Sequence, residues 1–303
     1  MADLYISFAF MLGLCSVLLA VGVRCARWFS PAALVQVLGI AVVLMSCYLM
    51  FLWNQPIIAS LIPSSAIIVL GNWLPLFGTF FAGVCAGTRR IHVARRAILT
   101  VVTVGLCTYS LFQPMSGSSP TCLRLNGSAA LQFQTADTTC SPVSGACLLR
   151  LHGIAATEWD MAPLCLTREG THWMGLYRGM KLKVQNTEWD VVVEPFSLDR
   201  LKAGKIPRGP AVLSLSFNDR FGSQSLATGF SEIKGHSVVL LDHSGSNTLQ
   251  IFDPSPEFGF ESWDESILST IQEGVMIRLV PRNPTGRKLD LEQIIVAERS
   301  ARR

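Results

Sequence analysis

The sequence predicts a four-helix membrane region followed by an α+β domain in which helices pack on an antiparallel sheet. Only 15% of the 303 residues are charged, whereas a globular domain usually carries about 25%. The shortage is confined to residues 1–113, which hold one acidic and six basic side chains, while the rest of the chain holds 20 acidic and 19 basic ones. That second part alternates helical and strand-like patterns, as a folded soluble domain does.

Four apolar stretches make up the first part of the chain. A membrane span needs about 20 apolar residues, and each stretch fits that length. They lie near residues 4–23, 34–53, 64–86 and 97–113. Asn72 and Pro75 interrupt the third stretch and predict a kink packed against neighbouring helices.

The arginines predict the orientation of these helices. All six basic residues of this part lie in the first and third connecting loops: Arg24, Arg27, Arg89, Arg90, Arg95 and Arg96. Positively charged loops stay cytoplasmic, so we expect the N-terminus and everything after residue 113 to be extracytoplasmic. No basic residue precedes the first stretch, which favours an uncleaved helix over a signal peptide.

Composition divides the chain into three parts. Residues 1–114 form the predicted membrane region, residues 121–283 the folded domain, and residues 284–303 a C-terminal tail. The segment MSGSSP between the first two has the small and polar residues of a linker. The net charge of +4 arises from the membrane-side loops, so it does not indicate nucleic-acid binding.

Cys140 is expected at the start of a helix. Pro142 suits a first helical turn, and Val143, Cys147 and Leu151 recur at a spacing of four residues. Backbone N–H groups and the helix dipole lower the pKa of a thiol placed there. We therefore predict that Cys140 is a reactive nucleophile.

Further elements follow from caps and alternation. Helices are predicted at 157–166, after Thr171 and at 197–202, and strands at 189–194 and 210–217.

A β-hairpin is predicted over residues 235–255, with its polar turn at 244–247. A turn centred after Ser244 pairs the strands as Leu241 with Thr248 and His236 with Asp253. Directly opposed Cβ atoms are about 5 Å apart. An imidazole would then lie beside a carboxylate, as a general base lies beside the group that orients it.

Gln134 lies six residues before Cys140. Its side-chain amide could donate a hydrogen bond to an oxyanion that forms next to the nucleophile.

These segments resemble the bacteriocin-processing cysteine peptidases, a papain-like family that includes enzymes cleaving double-glycine leaders. The resemblance is carried by QTADTTCSP at 134–142, LLRLHGI at 148–154, TREGTHWMGLYRGMKLKV at 167–184, PAVLSLSF at 210–217, and the GHSVVLLD and FDPS segments of the hairpin. It spans roughly residues 131–283. It implies that Cys140 attacks, His236 is base and then acid, Asp253 orients the imidazole, and Gln134 helps to bind the oxyanion.

The sequence departs from the family pattern at two points. The family usually has glycine directly after the nucleophile, where this chain has Ser141. No GxxxxGK[ST] motif occurs, so we expect no ATP binding and a stand-alone, membrane-anchored form without the ABC transporter.

Three functions remain open at this point. The chain could be an active membrane peptidase on the outer side, an inactive relative that binds peptides, or a cell-wall amidase or transpeptidase. The expected partners are a peptide or protein substrate and the lipid bilayer, without nucleic acid. No HExxH or paired CxxC spacing occurs, so no metal and no cofactor are expected. Cys122, Cys147 and Cys165 could be buried thiols or could include a Cys147–Cys165 disulfide.

Overall fold

The structure is a computed structural model, and it describes residues 1–89, 92–124, 129–217, 235–243 and 248–283. The chain divides into two compact units, Met1–Ser116 and Gly117–Arg303. The predicted hairpin turn at 244–247 and the predicted tail at 284–303 lie outside the described residues.

The first unit is helical. Its helices are α1 (Ala2–Trp28), α2 (Pro31–Phe51), α3 (Ile57–Leu61), α4 (Ile67–Leu70), α5 (Leu74–Gly87) and α6 (Val93–Phe112), and a 3₁₀ turn (Gln113–Met115) follows α6. Four helical segments are long and apolar enough to cross a membrane: Ala2–Trp28, Pro31–Phe51, Ile67–Gly87 and Val93–Met115. This confirms that the four apolar stretches form helices that could span a membrane.

The third span is broken between α4 and α5, at the position of the predicted kink. The Asn72 side-chain amide donates to the hydroxyl of Ser110 at 3.0 Å and to its carbonyl at 3.3 Å. The Tyr48 hydroxyl donates to the Gly71 carbonyl at 2.7 Å and accepts from the Trp73 N–H at 3.2 Å. Tyr48 of α2 thus satisfies two backbone groups at the break, as an apolar environment requires.

The second unit contains one six-stranded sheet. Its strands are β1 (Trp189–Phe196), β2 (Ala211–Phe217), β3 (Gly235–His243), β4 (Leu249–Asp253), β5 (Gly259–Trp263) and β6 (Ile271–Pro281). The spatial order is β1-β6-β2-β3-β4-β5, and each neighbouring pair is antiparallel.

Five helices belong to the described part of this unit; the first four follow the order that the sequence predicted, and the fifth was not predicted. They are α7 (Cys140–Leu151), α8 (Glu158–Leu164), α9 (Trp173–Lys183), α10 (Leu198–Lys202) and α11 (Glu265–Leu268). The expected fold class, an α+β domain of helices on an antiparallel sheet after four apolar helices, is confirmed.

Strand β3 lies between two apolar clusters, because its alternate side chains point to opposite faces of the sheet. Val239 and Leu241 pack with the stripe of α7, namely Val143, Cys147 and Leu151. Val238 and Leu240 pack on the other side with a cluster that includes Ile251, Trp263 and Met276. Each of these large apolar side chains contributes about 2 kcal/mol when fully buried, so α7 is held firmly against β3.

The predicted register of the hairpin is wrong. Val239 pairs with Phe252 and Leu240 with Ile251. Continued by one residue, this register places Val238 opposite Asp253, where the prediction had placed His236. Beyond Leu240 the register shifts by one residue, so that His243 pairs with Leu249.

The predicted register places residue 246 opposite His243, but His243 pairs with Leu249, so the offset is already three residues at the turn end of the strands. A β-bulge at Leu241, an extra residue that has no partner of its own on β4, then reduces the offset to two residues at Leu240. The expected pairing of Leu241 with Thr248 is therefore wrong as well. At the start of β3 the register differs from the predicted one by two residues, and an even difference keeps every side chain on its expected face. His236 and Asp253 become diagonal neighbours, whose spacing is still within reach of long or aromatic side chains.

Candidate active site

Cys140 is the first residue of α7, as the sequence predicted. The residue as a whole is half-buried. The first N–H groups of a helix have no intrahelical partner, and they give this end of α7 a partial positive charge. The position therefore favours a thiolate.

His236 and Asp253 are in direct contact. The Nε2 atom of His236 lies 2.7 Å from Oδ2 of Asp253, and both side chains are buried. The second carboxylate oxygen of Asp253 accepts the backbone N–H of Ser255 at 2.8 Å. Because Nε2 faces Asp253, Nδ1 is the ring nitrogen left for Cys140.

The electrostatics of Cys140 and His236 favour a charged pair. Burial alone would raise the pKa of the Cys140 thiol, but a hydrogen bond and charge from His236, the backbone of Ser237 and the hydroxyl of Ser141 together lower that pKa. Burial alone would lower the pKa of His236, but the contacts with Asp253 and Cys140 raise it. A thiolate beside an imidazolium is the protonation state that these contacts stabilise.

Glu261 on β5 is a second carboxyl group near the His236–Asp253 pair. Burial and the charge of Asp253 raise its pKa, whereas the indole N–H of Trp263 and the charge of His236 act in the opposite direction. The indole nitrogen lies 2.7 Å from a Glu261 oxygen.

Three serine hydroxyls join α7 to β3 next to this pair. The Oγ atoms of Ser141 and Ser237 lie 2.8 Å apart. The Ser144 hydroxyl donates to the Ser237 carbonyl at 3.1 Å. All three residues are buried, so these polar contacts are shielded from water.

Gln134 lies beside the end of β4. Its backbone N–H donates to the Pro254 carbonyl at 2.8 Å, which brings the segment before the nucleophile next to Asp253. Its side-chain amide donates to the Asp137 carbonyl at 3.4 Å. The structure thus brings Cys140, His236 and Asp253 together, whereas the Gln134 amide is hydrogen-bonded to Asp137 within its own loop.

Glu158 holds the loop that leads into the nucleophile helix. Its buried carboxylate accepts the Thr135 N–H at 3.0 Å and the Thr135 hydroxyl at 2.7 Å. The same carboxylate accepts the hydroxyl of Thr139, the residue directly before Cys140. One side chain from α8 therefore fixes both ends of this loop.

Sequence reasoning missed this role of Glu158 and the partner that Ser141 finds in Ser237. The pattern Thr157-Glu158-Trp159-Asp160 predicted a helix start, and Thr157 does cap α8 by accepting the Asp160 N–H at 3.2 Å. That interpretation assigned Glu158 to the helix dipole. A carboxylate at a helix start faces solvent or the core depending on packing, which local sequence does not specify.

The cysteines outside the site are thiols. All nine cysteines of the chain are free in the structure, so the Cys147–Cys165 disulfide is not formed. Cys147 accepts the Gln132 N–H at 3.2 Å. Burial raises the pKa of Cys165, and burial together with Glu158 raises the pKa of Cys122 to about 11. Among the described residues, no group of three or more His, Cys, Asp or Glu side chains is placed to hold a metal ion.

Two solved structures similar to this chain are peptidase domains of ComA. One, from Streptococcus ComA, described as a bifunctional ABC transporter involved in a quorum-sensing pathway, is 18% identical with a TM-score of 0.39, and the match covers 50% of this chain and 98% of that one. The other, from Streptococcus mutans ComA, is 17% identical with a TM-score of 0.33 and covers 50% and 99%. No family model and no curated protein matches the sequence. Scores this low do not bear on function, which has to be inferred from the site itself.

Replacing Glu158 tests its role in holding the nucleophile loop. We expect Glu158→Ala to lower the free energy of unfolding of the second unit by about 3 kcal/mol, because it leaves buried donors without an acceptor. Thermal or denaturant unfolding of the full-length protein in detergent measures this.

Asp160→Ala is the matched control on the same helix. Asp160 pairs with Lys183 at 3.1 Å in a partly exposed position, so its loss should cost less than about 1 kcal/mol. Equal losses for the two variants would contradict the role of Glu158.

Proposed function

We propose that this protein is a membrane-bound cysteine peptidase that hydrolyses peptide bonds through Cys140, His236 and Asp253. The observation that carries the proposal is the 2.7 Å contact between buried His236 and Asp253, made where the His236 ring also acts to lower the pKa of Cys140. A nucleophile, a base and the group that orients the base are the parts that this chemistry requires.

The proposed reaction has two steps. The Cys140 thiolate attacks the substrate carbonyl, the His236 imidazolium gives its proton to the departing amine, and a thioester with Cys140 remains. His236, now neutral, takes a proton from water while the water oxygen attacks the thioester. The acid product leaves, and the thiolate–imidazolium pair is restored. Asp253 stays ionised and orients the ring throughout.

Gln134 is the proposed side-chain donor to the oxyanion. This role requires its amide to leave the 3.4 Å contact with the Asp137 carbonyl when substrate binds. Catalytic hydrogen bonds often tighten only in the complex with substrate. Backbone N–H groups at the start of α7 would supply further donors.

The proposed location of the catalytic unit is the extracytoplasmic side of the membrane. Two observations support it: four helices are suited to span a membrane, and the arginines cluster at the end of the first span and around the connection between the third and fourth spans. The proposal includes a stand-alone form, because the sequence has no phosphate-binding GxxxxGK[ST] motif.

Substitution of the proposed triad tests the function. Cys140→Ala should abolish cleavage of an unstructured protein substrate by the full-length enzyme while leaving its melting temperature nearly unchanged, because a small side chain is exchanged for one that is only slightly smaller. Asp253→Asn should retain some activity, because Asp253 orients the base and does not react.

Cys122→Ala is the matched control, since that thiol is buried and its pKa is raised. Protein and peptidoglycan digests run in parallel separate a peptidase from a wall amidase. Wild-type protein that cleaves neither, or Cys140→Ala that cleaves as well as wild type, would overturn the proposal.

The proposed charged pair makes a prediction about pH. The thiolate forms as pH rises through the lowered pKa of Cys140, and the imidazolium is lost as pH rises through the raised pKa of His236. Activity should therefore be highest between these two values. In His236→Ala, the pH midpoint of Cys140 alkylation should rise toward the ordinary thiol value of about 8.5.

Site-specific alkylation by iodoacetamide, read by mass spectrometry over a pH series, measures that midpoint. An unchanged midpoint in His236→Ala would show that the ring does not stabilise the thiolate.

Protease accessibility tests the proposed orientation. Protease added to cells whose outer barrier has been opened should degrade the second unit, since we place it outside the cytoplasmic membrane. A cytoplasmic marker protein must stay intact in the same cells. If the second unit is degraded only after the membrane has been dissolved, it lies on the cytoplasmic side and the proposed orientation is wrong.

A further inference from the structure

A pair of buried hydroxyls connects the nucleophile helix to the histidine strand. The Oγ atoms of Ser141 on α7 and Ser237 on β3 lie 2.8 Å apart. Their residues are 4% and 1% exposed, so neither hydroxyl has water as a ready alternative partner. A buried hydroxyl that loses its partner is destabilising, and each serine therefore constrains the position of the other.

The pair lies directly beside the reacting groups. Ser141 follows Cys140 in the chain, and Ser237 follows His236. The contact therefore joins the two segments at the point where the sulfur and the ring must meet. The large apolar contacts of α7, at Val143, Cys147 and Leu151, lie further along the helix and fix its start less closely.

Ser144 provides a second link from α7 to the same strand residue. Its hydroxyl donates to the Ser237 carbonyl at 3.1 Å, one turn into the helix. Ser144 is fully buried, so it resembles Ser141 in residue type, environment and partner. It differs in lying further from the first residue of the helix.

We propose that Ser141 and Ser237 are positioning residues that set the approach of the Cys140 sulfur to the His236 ring. The inference rests on the proposed function, because it assigns these hydroxyls to the same nucleophile and base. The serine after the nucleophile is then part of the site rather than a defect in it, since Ser237 supplies the partner that its hydroxyl requires.

The electrostatics of the thiol agree with this assignment. The Ser141 side chain and the Ser237 backbone both hydrogen-bond the sulfur and help to lower the pKa of Cys140. Moving the start of α7 away from β3 would weaken these contacts together with the contact to His236. Thiolate formation would then require a higher pH.

Thiol reactivity tests the proposal without any substrate. Iodoacetamide is reacted with the full-length protein in detergent micelles over a pH series, and alkylation of Cys140 is followed by mass spectrometry. Ser141→Ala and Ser237→Ala should each lower the rate at pH 7 by about tenfold, as loss of a hydrogen bond to a charged group would. Each substitution should also raise the pH midpoint of Cys140 alkylation.

The double variant Ser141→Ala/Ser237→Ala should lose less than the product of the two single effects, because the two hydroxyls act as one unit. Ser144→Ala is the matched control and should leave the midpoint unchanged. Melting temperatures identify any variant that fails to fold. If Ser141→Ala fails to fold, Ser237→Ala is used for the test instead.

Equal midpoints in wild type and in both single variants would overturn the positioning role, even if the wild-type enzyme cleaves peptides. The same shift in Ser144→Ala as in Ser141→Ala would overturn it too, because general loosening of α7 would then explain the effect. A wild-type protein that cleaves no peptide but shows the expected order of midpoints would overturn only the peptidase proposal.

Discussion

The buried hydrogen bond between His236 and Asp253 is the interaction on which the candidate site depends. An imidazole buried alone tends to be neutral, because burial disfavours its charged form. The Asp253 carboxylate reverses that tendency and raises the pKa of His236. The sheet supplies this contact, since Asp253 ends β4 and His236 opens β3 beside it. Its second oxygen is held by the Ser255 backbone, so the carboxylate is fixed before any substrate arrives.

The position of Cys140 is determined from three directions. Behind it, the stripe of α7 packs on Val239, Leu241 and Phe252. In the loop that precedes Cys140, the Glu158 carboxylate accepts hydrogen bonds from Thr135 and Thr139. Beside it, Ser141 and Ser237 meet across the boundary between helix and strand. The Thr139 and Ser141 contacts are buried, so they act where water does not compete for hydrogen bonds.

Much of this architecture was predictable because it depends on local patterns. The four apolar helical segments follow from apolar stretches of about the length of a span, and the helix at Cys140 follows from the spacing of Val143, Cys147 and Leu151. The hairpin was predicted, but its register was not, because neither the pairing of His243 with Leu249 nor the bulge at Leu241 leaves a local signature in the sequence. His236 and Asp253 are nevertheless in contact, because a register that differs by two residues keeps each side chain on the same face of its strand.

The sequence by itself determined the order of elements, the apolar half and the residue types that can perform thiol chemistry. The tertiary structure decided which of those residues meet. It paired Ser141 with Ser237, turned Glu158 inward to Thr135 and Thr139, and left the Gln134 amide on the Asp137 carbonyl. The reason is physical: periodicity and capping act over a few neighbouring residues, whereas the contacts of Ser141 and Glu158 join residues 19 to 96 positions apart and exist only after the sheet and helices have packed.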